Sequence, residues 1–142
     1  MLRLKDRLKV MIIVIRGCAM SKWIILLVSL LSLSSFANDL PDIAPAKLLA
    51  TDTQDWLILD VRSPEEYAEG HVPGAINIAH TALASRLDEI NEFSDKPVVV
   101  YCRSGFRAGK AGDVLLQANF KDVRHLDGDF TAWKEAGYEM KK

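Results

Sequence analysis

The chain is poor in the residues that would give its class away quickly. Its 142 residues hold only two cysteines, Cys18 and Cys102. No internal repeat or low-complexity block follows residue 37, so a solenoid or a long flexible array is excluded. No basic stripe is present either. Of the 18 Lys/Arg and 19 Asp/Glu, 12 basic and 18 acidic side chains fall in residues 38–142, a net of −6. An acidic body of this kind excludes an electrostatic nucleic-acid interface. An anionic ligand would have to be drawn in by a local cluster of cations.

Long apolar runs are also missing. From Met20 the chain reads MSKWIILLVSLLSLSSFAND, with Lys22 ahead of an apolar run over residues 23–33. That run has 11 residues, whereas a membrane span needs about 20. Ser35 and Ala37 place small residues at −3 and −1 of a cut before Asn38. This is the anatomy of a secretory signal peptide. Residues 1–19 are then an extended n-region, or lie upstream of the true initiator, Met20 or Met11. The expected product is periplasmic and carries no stable membrane insertion. An uncleaved leader acting as a membrane anchor is the alternative. Cleavage removes Cys18, so the mature chain keeps Cys102 alone and forms no internal disulfide. A lone thiol in an exported protein is either buried and inert or reactive.

Residues 38–142 read as one domain in which short apolar runs alternate with helical patterns. Trp56-Leu57-Ile58-Leu59 ends at Asp60, and Ser63-Pro64-Glu65-Glu66 opens a helix. Ser63 suits the N-cap, Pro64 the first turn and Glu66 the capping-box partner. Ala75-Ile76-Asn77-Ile78 reads as a short strand, and Leu83, Leu87 and Ile90 fall at helical spacing over residues 81–90. Val98-Val99-Val100-Tyr101 is apolar on both faces, as a central parallel strand is. A helix is expected over residues 106–120 with Asn119 as a left-handed stop, then a strand at 123–126 and a last helix at 129–136. The predicted class is α/β: a mainly parallel sheet of about five strands, with helices on both faces.

The informative stretch follows that central strand: Cys102-Arg103-Ser104-Gly105-Phe106-Arg107. Ligands in open α/β sheets bind beyond the carboxyl ends of the strands, and a helix N-terminus closes this loop. Its amides and dipole favour an anion. Arg103 and Arg107 bring forked permanent cations, and Gly105 lets the backbone turn tightly. Each feature lowers the cost of a negative sulfur, so Cys102 is expected to be a thiolate at neutral pH. Two arginines beside an inert thiol would serve no structural purpose.

Four segments together resemble the rhodanese (sulfurtransferase) family over essentially all of residues 38–142. Asp60-Val61-Arg62 with Glu66-Tyr67 resembles its first motif, and Gly70-His71-Val72-Pro73-Gly74-Ala75 its second. The loop from Cys102 to Arg107 is similar to the family's C-R-x-G-x-R active-site loop, and Leu126-Asp127-Gly128 with Trp133 to its closing motif. The resemblance implies a rhodanese-like fold and a thiosulfate-type sulfurtransferase. Cys102 would take a sulfane sulfur from a small donor and pass it to cyanide or a thiol, by covalent catalysis at sulfur. Arg103, Ser104, Gly105, Phe106 and Arg107 would bind the donor, and neither metal nor organic cofactor is required. A protein sulfur acceptor is a further candidate partner.

The remaining motif residues read as support. Asp60 would hold a neighbouring arginine or loop amides, Arg62 and Glu66 would pair locally, and His71 would hold backbone. Trp56 and Trp133 read as core aromatics. The sequence departs from the family at Asp129, where a second glycine is usual. Aspartate suits a helix cap there, but facing the pocket it would repel an anionic donor. Two rival functions stay open. A non-catalytic sulfur carrier or binding module would use the same fold. A Cys-dependent phosphatase or arsenate reductase would need five residues between Cys and Arg, where this loop has four.

Overall fold

The computed structural model describes residues 39–142. The candidate leader and Cys18 lie outside the described residues.

Five strands form one sheet: β1 (Asp42–Ile43), β2 (Leu57–Asp60), β3 (Ile76–Asn77), β4 (Pro97–Tyr101) and β5 (Asp122–Leu126). Their order is β1-β5-β4-β2-β3, and every pairing is parallel. β4 lies in the middle because it has two faces to bury: Val98, Val99, Val100 and Tyr101 are all fully covered. Alternate residues feed two cores. Val98 and Val100 join Leu57, Leu59, Ile90 and Leu115 on one face. Val99 and Tyr101 join Ile58, Leu126, Phe130 and Trp133 on the other.

Among the described residues four helices cover the sheet: α1 (Pro45–Leu49), α2 (Pro64–Glu69), α3 (Phe106–Gln117) and α4 (Asp129–Glu135). α3 packs into the first core through Ala108, Ala111 and Leu115. Leu48 of α1, Tyr67 of α2, and Phe130 and Trp133 of α4 pack into the second. The expected α/β class and two-sided cover therefore hold. Ser63 and Glu66 form the expected capping box, each side chain bonded to the other's backbone N–H. Asn119 ends α3 at φ 66°.

Residues 81–90 depart from expectation. Two 3₁₀ segments, Leu83–Ser85 and Leu87–Phe93, replace the α-helix. Leu83 and Ile90 are still fully buried, so the apolar spacing did its work. Polar side chains in the run compete for the backbone; Ser85 Oγ, for example, donates to the Ala82 carbonyl at 2.8 Å. The tighter i→i+3 turns follow.

Candidate active site

Cys102 comes directly after β4, at the carboxyl end of the sheet's central strand. It is 1% exposed. Gly105, the N-cap residue of α3, sits at φ 100°, in the left-handed region open mainly to glycine. That turn aims the Gly105 N–H at the sulfur, 3.1 Å away. Arg103, Ser104 and Phe106 are exposed on the loop's outer side, and Arg107 is partly covered on the first turn of α3. Lys110 Nζ lies 4.5 Å from the Phe106 ring centre.

The first turn of α4 holds the loop from behind. A helix's opening N–H groups have no partner within the helix, and here the loop supplies them. Phe130 N–H donates to the Cys102 carbonyl at 3.1 Å, and Thr131 N–H to the Arg103 carbonyl at 3.3 Å. Thr131 Oγ1 donates to that same carbonyl at 2.7 Å. The Asp129 carboxylate accepts the N–H of Cys102 itself at 2.7 Å. Asp129 therefore does not cap α4, as the sequence suggested; Gly128 takes the N-cap position with no side-chain bond. The carboxylate turns away because Asp129 adopts φ 55°, which points it under the loop. It is 2% exposed and faces the Cys102 amide rather than open solvent.

Two expected roles change partners. Arg62 does not pair with Glu66. Its Nε and Nη2 grip Asp60, at 3.0 and 2.6 Å, and Nη2 also donates to the Gly70 carbonyl at 2.7 Å. The guanidinium carbon lies 3.9 Å from the centre of the Phe130 ring. Arg62 precedes α2, so its side chain folds back onto the end of β2 instead of running along the helix. Burial opposes its charge, but the bonds to Asp60 outweigh that and raise its pKa. Glu66 instead reaches Arg107, Oε2 at 2.5 Å from Nη1 and Oε1 at 2.9 Å from Nη2. This hydrogen bonding holds the Glu66 carboxyl down at about 2, against the opposing effect of burial. The same bonds raise Arg107, with the neighbouring Cys102 sulfur a smaller contribution in that direction.

His71 keeps a backbone role. Its Nδ1 lies 3.0 Å from the Tyr67 carbonyl, and its ring stacks on Tyr67 at 3.7 Å. Trp133 is fully buried, its indole N–H on the Glu139 carbonyl at 2.8 Å. Trp56 is only half-buried and carries the Arg124 guanidinium 4.9 Å above its ring.

Beside the loop lies a cleft of about 540 Å³, walled by Arg62, Glu66, Arg103, Phe130, Thr131 and Lys134 among others. Arg103 enters no ion pair among the described residues. A buried sulfur under an inward amide, with Arg107 beside it and Arg103 on the wall of the adjoining cleft, is suited to a small anion.

The sequence profile of the rhodanese-like domain matches residues 45–136. The chain belongs to the rhodanese family. It is 38% identical over 90 residues to thiosulfate sulfurtransferase GlpE of Pseudoalteromonas translucida, covering 63% of this chain and 83% of that one. A sulfurtransferase of Allochromatium vinosum is 38% identical over 86 residues, 61% of this chain and 78% of its own length. Among solved structures, the rhodanese-like domain of the Alr3790 protein from Anabaena sp. superposes with a TM-score of 0.64 at 28% identity, over 71% of this chain and 78% of that one. On this rhodanese scaffold, residues 102–105 form the loop after the central strand, and Phe106 and Arg107 open α3.

Sequence reasoning passed over two side chains of the site. His125 stands behind the loop with Nε2 2.9 Å from Asp129 Oδ2, and Asp42 stands 2.8 Å from its Nδ1. Only the spacing of four between His125 and Asp129 hinted at the first contact. Asp42 is 83 residues from His125, and the strand register alone brings them opposite.

Proposed function

We propose that the protein is a sulfurtransferase that moves a sulfane sulfur from thiosulfate, or a similar sulfonate-ended donor, through a persulfide on Cys102. One observation carries this reading: the Cys102 sulfur lies under the Gly105 amide, 3.1 Å away, at the start of α3. Donors aimed at a negative sulfur stabilise it before and after transfer alike.

The anionic sulfur attacks the outer sulfur of thiosulfate. A new S–S bond forms to Cys102, the donor's own S–S bond breaks, and sulfite leaves with the electron pair. Cyanide or a thiolate then attacks the outer sulfur of the persulfide. Its S–S bond breaks toward Cys102, and the original thiolate returns. Electrons balance with no outside oxidant, as in thiol–disulfide exchange. Arg103, which enters no ion pair among the described residues, is the first anchor for the sulfonate end, and Arg107 completes the hold from the first turn of α3.

Incubation with thiosulfate is expected to add one sulfur mass to the intact protein, and cyanide to discharge it repeatedly as thiocyanate. Cys102→Ser should abolish both. No added mass, or thiocyanate formed undiminished by the Ser variant, would overturn the reading. One loading and one discharge without turnover would favour a carrier. Export is part of the proposal, on the strength of residues 20–37; a mature chain beginning at Asn38 is the expected mass.

A further inference from the structure

Three polar side chains run in a line from the surface to the amide of Cys102. Asp42 of β1 faces His125 Nδ1 at 2.8 Å, and His125 Nε2 faces Asp129 Oδ2 at 2.9 Å. Asp129 Oδ1 takes the Cys102 N–H at 2.7 Å. The sulfur chemistry above touches none of the three. Yet the line ends on the backbone of the residue that carries it.

Both ring nitrogens of His125 face carboxylate oxygens. An imidazole can donate through both only when it carries both protons, so the geometry calls for the imidazolium. Asp129, for its part, is a buried carboxylate beneath a loop that must accept a donor anion. Left alone, its charge would oppose that anion, and a buried charge without a partner is costly in itself.

We propose that Asp129 and His125 are positioning residues for the Cys102 loop: Asp129 fixes the Cys102 amide, and the His125 imidazolium cancels the carboxylate's charge so that the loop accepts an anionic donor. The consequence for catalysis rests on the sulfurtransferase reading; the charge arrangement does not.

The groups around His125 are few. Asp42 faces it from β1, Asp129 from the start of α4, and the Cys102 loop lies just beyond. Asp39, leading into β1, lines the same hollow, and the side contributed by the start of α3 carries only Gly105 and Gly109. The bond to Asp129 is the main influence raising the His125 pKa to about 9; burial opposes it, and the bond to Asp42 adds to it. The positive charge therefore persists through neutral pH.

Two variants separate the roles. Asp129→Asn keeps an acceptor for the Cys102 N–H and removes the charge. His125→Gln removes the cation and leaves the carboxylate exposed to the loop. Sulfur loading is followed in a single turnover with thiosulfate, which does not itself titrate in the alkaline range. Wild-type loading is expected to slow as pH rises through about 9. His125→Gln should load about tenfold more slowly at neutral pH and lose that alkaline limb. Asp129→Asn should also lack the limb, and the double variant should load like Asp129→Asn alone.

A readout independent of sulfur transfer is the ratio of Cys102 alkylation by iodoacetate to that by iodoacetamide, followed on the Cys102 peptide. Both reagents need the thiolate, so their ratio reports local charge. It should fall in His125→Gln and rise in Asp129→Asn. An unchanged ratio in both variants, or a His125→Gln enzyme that keeps the wild-type limb, would overturn the proposal. Variants that shift this ratio as expected, beside a wild-type protein that never gains sulfur, overturn the sulfurtransferase reading instead.

Discussion

Glu66 and Arg107, 41 residues apart, meet in a two-pronged ion pair at 2.5 and 2.9 Å. Glu66 also accepts the Ser63 N–H at 3.1 Å, so one carboxylate closes a helix cap and occupies a cation of the anion site. A donor that needs Arg107 must share it with this carboxylate.

Glu66→Gln is therefore expected to lower the KM for thiosulfate several-fold, since it removes a negative charge beside the donor's anchor. Stability should fall by about 1 kcal/mol, the order of a partly exposed pair. Because the folded carboxyl sits at about 2 against 4.5 for the free group, the pair stabilises the fold above pH 4.5 and that contribution is lost as pH falls through about 2. Denaturant melts across this acid window should fall less steeply in the variant. A raised KM would show that Glu66 orders Arg107 for the donor instead of competing with it.

The Asp60–Arg62 pair is enclosed, the two side chains 0% and 4% exposed. Removing one partner strands a buried charge. Asp60→Asn should cost about 3–5 kcal/mol, whereas the double variant Asp60→Asn with Arg62→Met should cost less. A double variant no more stable than the single one would contradict this account, as read from denaturant midpoints.

Gly105→Ala puts a Cβ at φ 100°, 3.2 Å from Asp129 Oδ2. Backbone strain of about 1–3 kcal/mol is expected, along with movement of the amide that faces the sulfur. Misplacement on that scale should slow sulfur loading by about 10²-fold. A fully active Ala variant would show that this amide has no part in transfer.

Tyr101 separates stability from activity. Its buried hydroxyl accepts the Val72 N–H at 3.1 Å, and Val72 is itself buried. Tyr101→Phe leaves that N–H unpaired and should cost about 1–3 kcal/mol. Loading of Cys102 should be unaltered well below the melting temperature. Loss of loading in a folded variant would place Tyr101 in the site.

Phosphate esters are expected to be poor substrates. With four residues between Cys102 and Arg107, the ring is shorter than a C-x5-R cradle. Turnover of p-nitrophenyl phosphate that depends on Cys102 would refute this.

The elements most legible in sequence were those whose causes are local. Ser63 and Glu66 lie three residues apart and satisfy each other's amides, so the capping box could be read without a fold. Val98 to Val100 announced a strand with two buried faces, and Gly105 a tight turn. The segment at 81–90 misled because its apolar spacing suits a 3₁₀ turn almost as well as an α-helix. Arg62 misled because three carboxylates stood within reach in sequence, at Asp60, Glu65 and Glu66. Only the path of β2 into α2 chose Asp60.

By itself, the amino-acid order determined the α/β alternation, the central strand and the six-residue loop that follows it. Those follow from burial patterns and backbone preferences spanning a few residues. The tertiary structure decided which charges meet: Glu66 with Arg107, Asp42 with His125, and Asp129 with the Cys102 amide. Such pairings depend on strand order and register, which bring distant segments within 3 Å of one another. Electrostatic attraction is too unspecific in sequence to name its partner before the sheet has placed it.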